Sequence, residues 1–425
     1  MHKITSVLRV RNFFVFVLSQ TVSQFGDKLD YIALIGLIGT FAPEREPILL
    51  SQLAIFFSAP VLIFGPISGV LVDRWNRKYV MVTCDILRGT MVCLIPLVFV
   101  LFKNIYPVFA LVFLLFLFTL FFNTARLSII PDLVKREDVL VANSVATSVG
   151  RFATFAGMVL GGLIIDWDFW ISNLGITGWQ AGFFLDGVTF YFSALFLATI
   201  TIHLMAHKQK QQMIRVIGGG LKGVLIDLKE VWHLVLRLKA VTYVFASVLI
   251  LVFAASAVYI FVIPMVQHGI KWGTKGVGFL GGFGGIGLLI GAFTFGIFGH
   301  QIRLKDVIFV GIVIFGVGLF LLTFIKQFLF LAIFAFVGGL CLSPVFIAQE
   351  TILHHTVPDL FRGRIFSSRE WLLAGSFALF SLINGAVGSI IDSLVWLKIV
   401  GVIVVTVSVL NRLIIGRYAQ DNHVS

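Results

Sequence analysis

Residues Gly69 to Lys78 read GVLVDRWNRK, and within this stretch a long apolar run changes abruptly into a basic loop. We expect Gly69 to let two helices approach closely, and Asp73 to lie at the membrane face, where an anion can cap a helix N-terminus or pair with a cation. Arg74, Arg77 and Lys78 can bind the inner leaflet or join that pairing. We therefore predict that this cluster stabilises one closed state of a membrane protein and breaks in another.

The remainder of the chain is equally apolar. Of its 425 residues, 59% are hydrophobic and 12% are charged, which is too little charge for the surface of a soluble protein. The apolar runs are long enough to cross a bilayer as helices and too long for barrel strands. The sequence therefore predicts an all-α membrane protein with twelve membrane-spanning helices, at 12–41, 48–72, 79–102, 105–128, 139–165, 179–203, 239–268, 275–300, 306–325, 328–353, 363–390 and 394–417.

The charge distribution predicts the orientation. The formal net charge of +12 comes from 32 basic and 20 acidic residues. The basic residues lie in short loops between apolar runs, which favours a membrane surface over a nucleic acid as the partner. Their excess in alternate loops predicts that both termini are cytoplasmic. Because the sequence has no Asn-X-Ser/Thr acceptor site, it is compatible with a bacterial inner (plasma) membrane, where we expect a monomer.

Short sequences recur between the two halves of the chain. Val7–Arg11 recurs as Val235–Lys239, and Pro131–Leu133 recurs as Pro358–Leu360, at nearly the same spacing. We interpret this as duplication of a six-helix unit, which gives two parallel repeats of the kind found in transporters that rock one half against the other. The predicted domains are a bundle at 1–203, a cytoplasmic linker with an amphipathic surface helix at 204–238, and a second bundle at 239–425.

The first predicted span contains the unusual stretch SQFGDKLDYIAL, at Ser23–Leu34. A charge at the bilayer centre costs at least ~2.5–3.5 kcal/mol on insertion scales, so Asp27, Lys28 and Asp30 must face a cavity or pair with one another. We predict that Asp27 binds a proton or cation and couples it to substrate movement. Lys28 or Arg151 is its expected counter-charge, and Asp30 shares its helix face. The alternative is a polar patch that only fixes this helix against its neighbours.

Other ionisable residues lie near the predicted cytoplasmic ends of the spans. Asp85 and Arg88 are three residues apart and should pair. We predict that this pair forms part of a cytoplasmic gate, although solvated helix ends would give the same pattern. The remaining gate candidates are Arg126, Glu350, Arg369 and Glu370.

Motifs of catalysis or cofactor binding do not stand out. The sequence has no phosphate-binding loop and no nucleophile–base pattern, and its three cysteines lie in apolar segments without metal-ligand spacing. We expect no enzymatic activity, no cofactor and no metal site.

The stretch at Gly69–Lys78 is similar to the signature loop of the major facilitator superfamily, Gly-X-X-X-Asp-Arg-X-Gly-Arg-Arg/Lys. It matches at Gly69, Asp73, Arg74, Arg77 and Lys78 and departs at Asn76, where the family usually has Gly. Asn adopts left-handed backbone more readily than most residues, so we expect Asn76 to make the same turn. The resemblance implies that this loop stabilises an outward-open state by closing the cytoplasmic side.

Further stretches narrow the resemblance. Phe122–Arg126, Ile130–Val134 and Val357–Ser367 look like macrolide-efflux-type drug/proton antiporters, and Phe184–Phe190 resembles the sixth span of that group. A Gly-Asp pair in the first span, here Gly26-Asp27, looks like that of related exporters and lysophospholipid flippases. Ferroportin-type metal exporters carry a similar pair.

These observations predict a secondary transporter that works by alternating access. We expect proton-coupled export of a hydrophobic or amphipathic small molecule, with the substrate, protons and membrane lipids as its partners. The alternatives are a lysophospholipid flippase, a metal-ion exporter, and a membrane sensor that uses the fold without transport.

Overall fold

The computed structural model describes residues 2–201 and 235–416, and these are almost entirely helical. The predicted surface helix in the linker lies outside the described residues, apart from its last few positions. In chain order the α-helices are α1 His2–Leu8, α2 Arg11–Phe41, α3 Glu46–Arg74, α4 Arg77–Phe102, α5 Tyr106–Leu133, α6 Val139–Ile165, α7 Phe169–Leu174, α8 Gly178–Ala198, α9 Lys239–Ala257, α10 Gly273–Phe298, α11 Leu304–Leu322, α12 Phe328–Thr356, α13 Asp359–Gly388 and α14 Ser393–Ile414. Single 3₁₀ turns occupy Pro43–Arg45, Arg136–Asp138 and Gly299–Gln301.

All twelve predicted spans are long helices. In the described part of the chain, eleven helices are long and apolar enough to cross a membrane, and α2 is the twelfth, set apart by the charged residues in its middle. Many large apolar side chains are exposed on the protein surface, as a lipid-facing surface requires. The prediction of an all-α, multi-pass membrane protein is therefore confirmed.

The seventh span departs from regular α-helix near its end. After α9, π-helical turns occupy Val258–Val262 and Met265–Gly269, on either side of Pro264. Proline lacks the N–H that an α-helix needs and clashes with the preceding turn, so the backbone adopts wider turns around it.

The described residues divide into two compact units. The first contains 2–46, 55–201 and 266–282, and the second contains 47–54, 235–265 and 283–416. In the first unit α2 packs mainly against α8 and α6, and α4 packs against α8 and α5. In the second, α11 packs against α12 and α14, and α9 packs against α13. The predicted division at the linker remains a prediction.

Two expectations about the signature loop are wrong. A Cβ added to Gly69 would meet nothing within 4 Å in the part of the chain that the structure describes, so this glycine does not mark a close helix approach. Asn76 has φ −73° and ψ 112°, which is extended backbone rather than a left-handed turn. Its side-chain oxygen instead caps α4 by accepting hydrogen bonds from the backbone N–H groups of Lys78 and Tyr79.

Candidate functional site

A buried guanidinium joins two helices of the first unit. Arg88 on α4 donates from Nη2 to Asp85, one turn earlier on the same helix, and to Ser23 Oγ on α2 at 3.1 Å. Its Nη1 donates to Asp27 Oδ1 on α2 at 3.2 Å. Arg88 therefore binds two carboxylates on different helices. The predicted pairing of Asp85 with Arg88 is confirmed, and the pair belongs to the same cluster as Asp27.

The second oxygen of Asp85 extends the network to α8. Asp85 Oδ2 accepts a hydrogen bond from Ser193 Oγ at 2.6 Å, and Ser193 Oγ lies 2.8 Å from Ser19 Oγ on α2. Because Ser193 has one hydroxyl proton and gives it to Asp85, Ser19 must be the donor to Ser193. The Asp85 carboxylate is thus bound on both oxygens, as a fully buried charge requires.

Two aromatic rings pack against the guanidinium of Arg88. The Cζ atom of Arg88 lies 4.2 Å from the ring centroid of Phe122 on α5 and 4.3 Å from that of Phe190 on α8. Such cation–π contacts stabilise a desolvated guanidinium and keep water from it. Arg88 is therefore fixed at the centre of the cluster.

Asp27 is the accessible member of this cluster. Its side chain is 30% exposed, whereas that of Arg88 is 1% exposed. The expected counter-charges are wrong, because Arg88 makes the ion pair with Asp27. Arg151 is exposed on α6, and the ammonium of Lys28 lies 5.7 Å from the ring centroid of Tyr31. The ion pair therefore joins a partly exposed carboxylate to a buried guanidinium.

Two further carboxyl groups lie beside Asp27 in the interior. Asp30 on α2 and Asp186 on α8 are both buried. Gly26 makes this arrangement possible, because a Cβ at that position would collide with Asp186 Oδ1 and Thr189 Oγ1. The Gly-Asp pair of the first span therefore combines a close helix contact at Gly26 with an accessible carboxylate at Asp27.

Arg126 lies on α5 near this cluster, where the charge of Asp27 acts on it. The side-chain amide of Gln24 bridges Arg126 and Gly150 when its oxygen faces Arg126. In this orientation the Gln24 oxygen accepts a hydrogen bond from Arg126 Nη1 at 3.1 Å, and the Gln24 nitrogen donates to the Gly150 carbonyl at 3.2 Å. Arg126 therefore joins the polar interior of the first unit rather than a separate surface ion pair.

The basic residues of the signature loop bind two other helices. Arg77 Nη1 donates to Asp132 Oδ2 at 2.9 Å and to the Ser128 carbonyl at 2.8 Å, both on α5. Lys78 Nζ donates to the Ala198 carbonyl at the end of α8, at 2.7 Å, where the helix dipole favours a cation. Arg74 is exposed. The predicted role of Asp73 lies outside the described side chains.

The gate candidates of the second unit form a separate group. Arg369 Nη1 lies 3.1 Å from Glu370 Oε1 and 3.8 Å from Glu350 Oε1. Arg369 is largely buried, whereas both glutamates are exposed. These three residues are brought together as expected, and their role as a gate remains a prediction.

The interior of the second unit is polar but uncharged at several helix contacts, which sequence reasoning missed. Gln349 Nε2 donates to Ser247 Oγ at 2.9 Å, and Asn384 Nδ2 donates to Ser256 Oγ at 2.8 Å. The sequence could not predict these contacts, because neutral amides and hydroxyls inside long apolar runs show no pattern that indicates which of them hydrogen-bond to each other. The pair in which both charges are buried, Asp85 with Arg88, lies in the first unit.

A second polar group of the first unit also escaped the sequence analysis. The backbone N–H of Lys275, at the start of α10, donates to Asp166 Oδ2 at 2.8 Å, just beyond the end of α6. Burial raises the pKa of Asp166, and its hydrogen bonds to Lys275 and Thr274 oppose that shift. Nearby in the same unit, His268 Nε2 lies 3.0 Å from the buried Glu46 Oε2.

A multi-pass helical membrane protein with a charged network buried between its helices has the features of a transporter. The sequence profile of the Major Facilitator Superfamily matches residues 13–287, which is more than half of the chain. The protein therefore belongs to this superfamily of transporters.

Several bacterial relatives are similar in sequence. YfiS of Bacillus subtilis, an uncharacterised MFS-type transporter, is 28% identical over 179 residues, which are 42% of this chain and 40% of YfiS. YkuC of the same organism, also uncharacterised, is 24% identical over 84% of this chain and 81% of YkuC. BacE of Bacillus subtilis, a proposed bacilysin exporter, is 32% identical over 34% of each chain. The matches to YfiS and BacE thus span less than half of those relatives' length.

Solved structures share the fold. A variant of the nucleoside transporter NupG has a TM-score of 0.71 and 12% identity, covering 95% of this chain and 99% of that chain. A bacterial homologue of the human lysosomal transporter Spinster, inward-facing and occupied, has a TM-score of 0.69 and 14% identity, covering 94% and 96%. At these identities the likeness shows the fold alone.

Proposed function

We propose that this protein is a proton-coupled exporter of a hydrophobic or amphipathic small molecule and that it works by alternating access. The observation that carries the proposal is the ion pair between Asp27, which is accessible, and Arg88, which is buried. A proton arriving at Asp27 neutralises it and leaves Asp85 as the one carboxylate paired with Arg88. Because a buried charge that loses a partner is costly, the helices that carry these residues must then rearrange.

The charge balance of the cluster supports proton binding. Asp27 and Asp85 pair with the guanidinium of Arg88, and its charge also acts on the carboxyl groups of Asp30 and Asp186. Lys28 and Arg126 are the other nearby cations. Ionised carboxylates that lack a partner cannot be kept out of water at reasonable cost, so some of these groups must carry protons. A site that already holds exchangeable protons can couple them to a conformational change.

Aromatic residues beside Asp27 support an amphipathic substrate. Tyr31 lies one turn after Asp27 on α2, with its ring centroid 6.4 Å from that of Phe57 on α3. Phe57 in turn stacks on Phe116 of α5, with centroids 4.4 Å apart. A partly exposed carboxylate next to a row of rings suits a molecule with an apolar body and a polar or cationic end. The likeness to BacE, a proposed exporter, agrees with outward transport.

The remaining features of this proposal come from the sequence. The excess of Lys and Arg in alternate loops supports cytoplasmic termini in a bacterial inner membrane, and the repeat supports bundles at 1–203 and 239–425. Arg77 and Lys78 tie the signature loop to α5 and α8, and we assign them to the cytoplasmic gate. Protons, membrane lipids and the substrate are the proposed partners of a monomer.

Reconstitution into liposomes with an imposed pH gradient tests this function. The probes are ethidium, erythromycin and a fluorescent lysophosphatidylcholine, and protein-free liposomes are the control. We expect gradient-driven movement of ethidium or erythromycin. Movement of the lysolipid without dependence on the gradient would identify a flippase instead. Absence of flux for every probe, together with divalent-metal flux, would identify a metal exporter, and no flux of any kind would favour a sensor.

A further inference from the structure

A second carboxyl group of the first unit has a hydrogen-bond geometry that an ionised carboxylate does not satisfy. Asp186 on α8 is fully buried, and its Oδ2 has no hydrogen-bond partner among the described residues. Its Oδ1 lies 3.0 Å from Thr189 Oγ1, which is the side-chain hydrogen bond of Asp186 among the described residues. A buried carboxylate with one free oxygen and one neutral neighbour would be poorly stabilised as an anion.

The hydroxyl of Thr189 has a better acceptor. Thr189 Oγ1 donates to the backbone carbonyl of Asp186 at 2.8 Å, a bond three residues back along the helix. Because a hydroxyl has one proton to donate, the contact with Oδ1 is best satisfied when the carboxyl group is the donor. With an ionised carboxylate the single hydroxyl proton of Thr189 is shared between the carbonyl oxygen and Oδ1, whereas a proton held on Asp186 Oδ1 would be donated to Thr189 Oγ1.

The groups that face Asp186 place it next to the ion network. From α2, Asp27 and Asp30 add negative charge, and from α4 Arg88 adds positive charge. Arg88 packs on the ring of Phe190, one turn after Asp186 on the same face of α8. Cys93 on α4 also approaches Asp186. The same packed helices carry further titratable groups, which include Lys28 and Tyr31 on α2, Cys84 and Asp85 on α4, and the exposed Arg151 on α6.

We propose that Asp186 is a second proton-binding carboxyl group of this transporter and that it holds its proton while Asp27 is paired with Arg88. This inference rests on the proposed function and deepens it by naming the inner proton site. When a proton binds Asp27, the Asp27–Arg88 pair is lost and Arg88 becomes available to the neighbouring carboxyl group. The O–H bond at Asp186 Oδ1 then breaks, the proton passes to a water molecule admitted as the helices rearrange, and the carboxylate replaces Asp27 as the partner of Arg88. Net charge in the cluster is unchanged by this exchange.

Infrared spectroscopy of the purified protein tests the protonation without any substrate. At neutral pH the C=O stretching band of protonated carboxyl groups should lose intensity in Asp186→Asn and keep it in Asp168→Asn, the matched control on an exposed turn. In Thr189→Val the band should shift in frequency, because the acceptor of the Asp186 proton is gone. Thr189→Val still tests the protonation of Asp186 if Asp186→Asn does not fold. A band unchanged in intensity in Asp186→Asn, or unshifted in Thr189→Val, overturns the inference.

Transport measurements separate this inference from the proposed function. In proteoliposomes Asp186→Asn should lose the pH-gradient-driven component of ethidium flux but retain ethidium exchange in the absence of a gradient. One outcome is that the wild type shows no gradient-driven flux although its infrared C=O band loses intensity in Asp186→Asn. In that case proton coupling is wrong, and the protonation of Asp186 stands. If the wild type is gradient-driven and Asp186→Asn keeps full coupling, Asp186 is not part of the proton path.

Discussion

The substitution Asp85→Asn removes one charge from the most deeply buried ion pair of the first unit. The side chains of Asp85 and Arg88 are 0% and 1% exposed, so neither charge can turn to water when its partner is lost. Arg88 would keep only Asp27, at 3.2 Å and partly exposed. Removing one partner of a buried pair costs about 3–5 kcal/mol, since the remaining charge is left uncompensated. We expect Asp85→Asn to lose at least about 3 kcal/mol, roughly a hundredfold in the unfolding equilibrium.

Asp306→Asn is the matched control, because Asp306 also pairs with an arginine, Arg412, between α11 and α14. These side chains are 40% and 25% exposed, so this pair should contribute at most about 1 kcal/mol. Unfolding by sodium dodecyl sulfate in mixed micelles, followed by tryptophan fluorescence, measures both variants. Adding Arg88→Met to Asp85→Asn should recover part of the loss by removing the orphaned charge. Equal losses in the two single variants would refute the argument from burial.

The other predictions use the same unfolding assay. Gly26→Ala should cost about 1–3 kcal/mol, because the new methyl group collides with Asp186, and an unchanged stability would contradict that contact. Arg77→Ala should cost no more than about 1 kcal/mol, since its pair with Asp132 is solvent-exposed, so a loss twice as large would show a structural role. The raised pKa of Asp166 means that the folded protein binds its proton more tightly than the unfolded chain does. The contribution of Asp166 to stability is present below the ordinary Asp pKa of about 3.9 and is lost as pH rises through its pKa in the folded protein. Asp166→Asn should therefore make the free energy of unfolding less dependent on pH in this range.

The fold could be predicted from the sequence because backbone hydrogen bonds in a membrane must be made within each helix, so run length alone identifies the spans. The ends of the helices could be predicted less well. α5 continues to Leu133 through Pro131 in its last turn, beyond the predicted end at 128, and α8 stops at Ala198 rather than 203. The π-helical turns around Pro264 had no signal in hydropathy at all.

The site could be predicted only in part. The sequence shows that Asp27, Asp85 and Arg88 are charged residues in apolar runs. It does not show that they contact one another, because that depends on how α2 packs against α4. Lys28 and Arg151 were the predicted counter-charges of Asp27, and Arg88 could not be identified because the sequence does not tell which face of α4 packs against α2. Asp186 also gives a sequence signal, because it is a lone carboxylate in an apolar span, within the stretch Phe184–Phe190 that resembles the sixth span of the antiporter group.

The two units differ in the chemistry of their interiors. In the first unit, charged side chains meet at Arg88, whereas in the described residues of the second unit the helix contacts at Ser247 and Ser256 use neutral amides and hydroxyls. A neutral interior does not change its hydrogen bonding when a proton arrives. We therefore expect substitutions of Gln349 or Asn384 to alter stability or substrate affinity and to leave the pH dependence of transport unchanged.

The most direct test of the central claim is ethidium flux into proteoliposomes as a function of the imposed pH gradient, with wild type and Asp27→Asn reconstituted in parallel. The asparagine keeps the size of the side chain but cannot take up or release a proton, so the release of Arg88 no longer depends on pH. The account predicts that wild-type flux rises with the gradient and that flux through Asp27→Asn does not respond to it. An Asp27→Asn protein that transports at the wild-type rate with the same pH dependence would contradict the account.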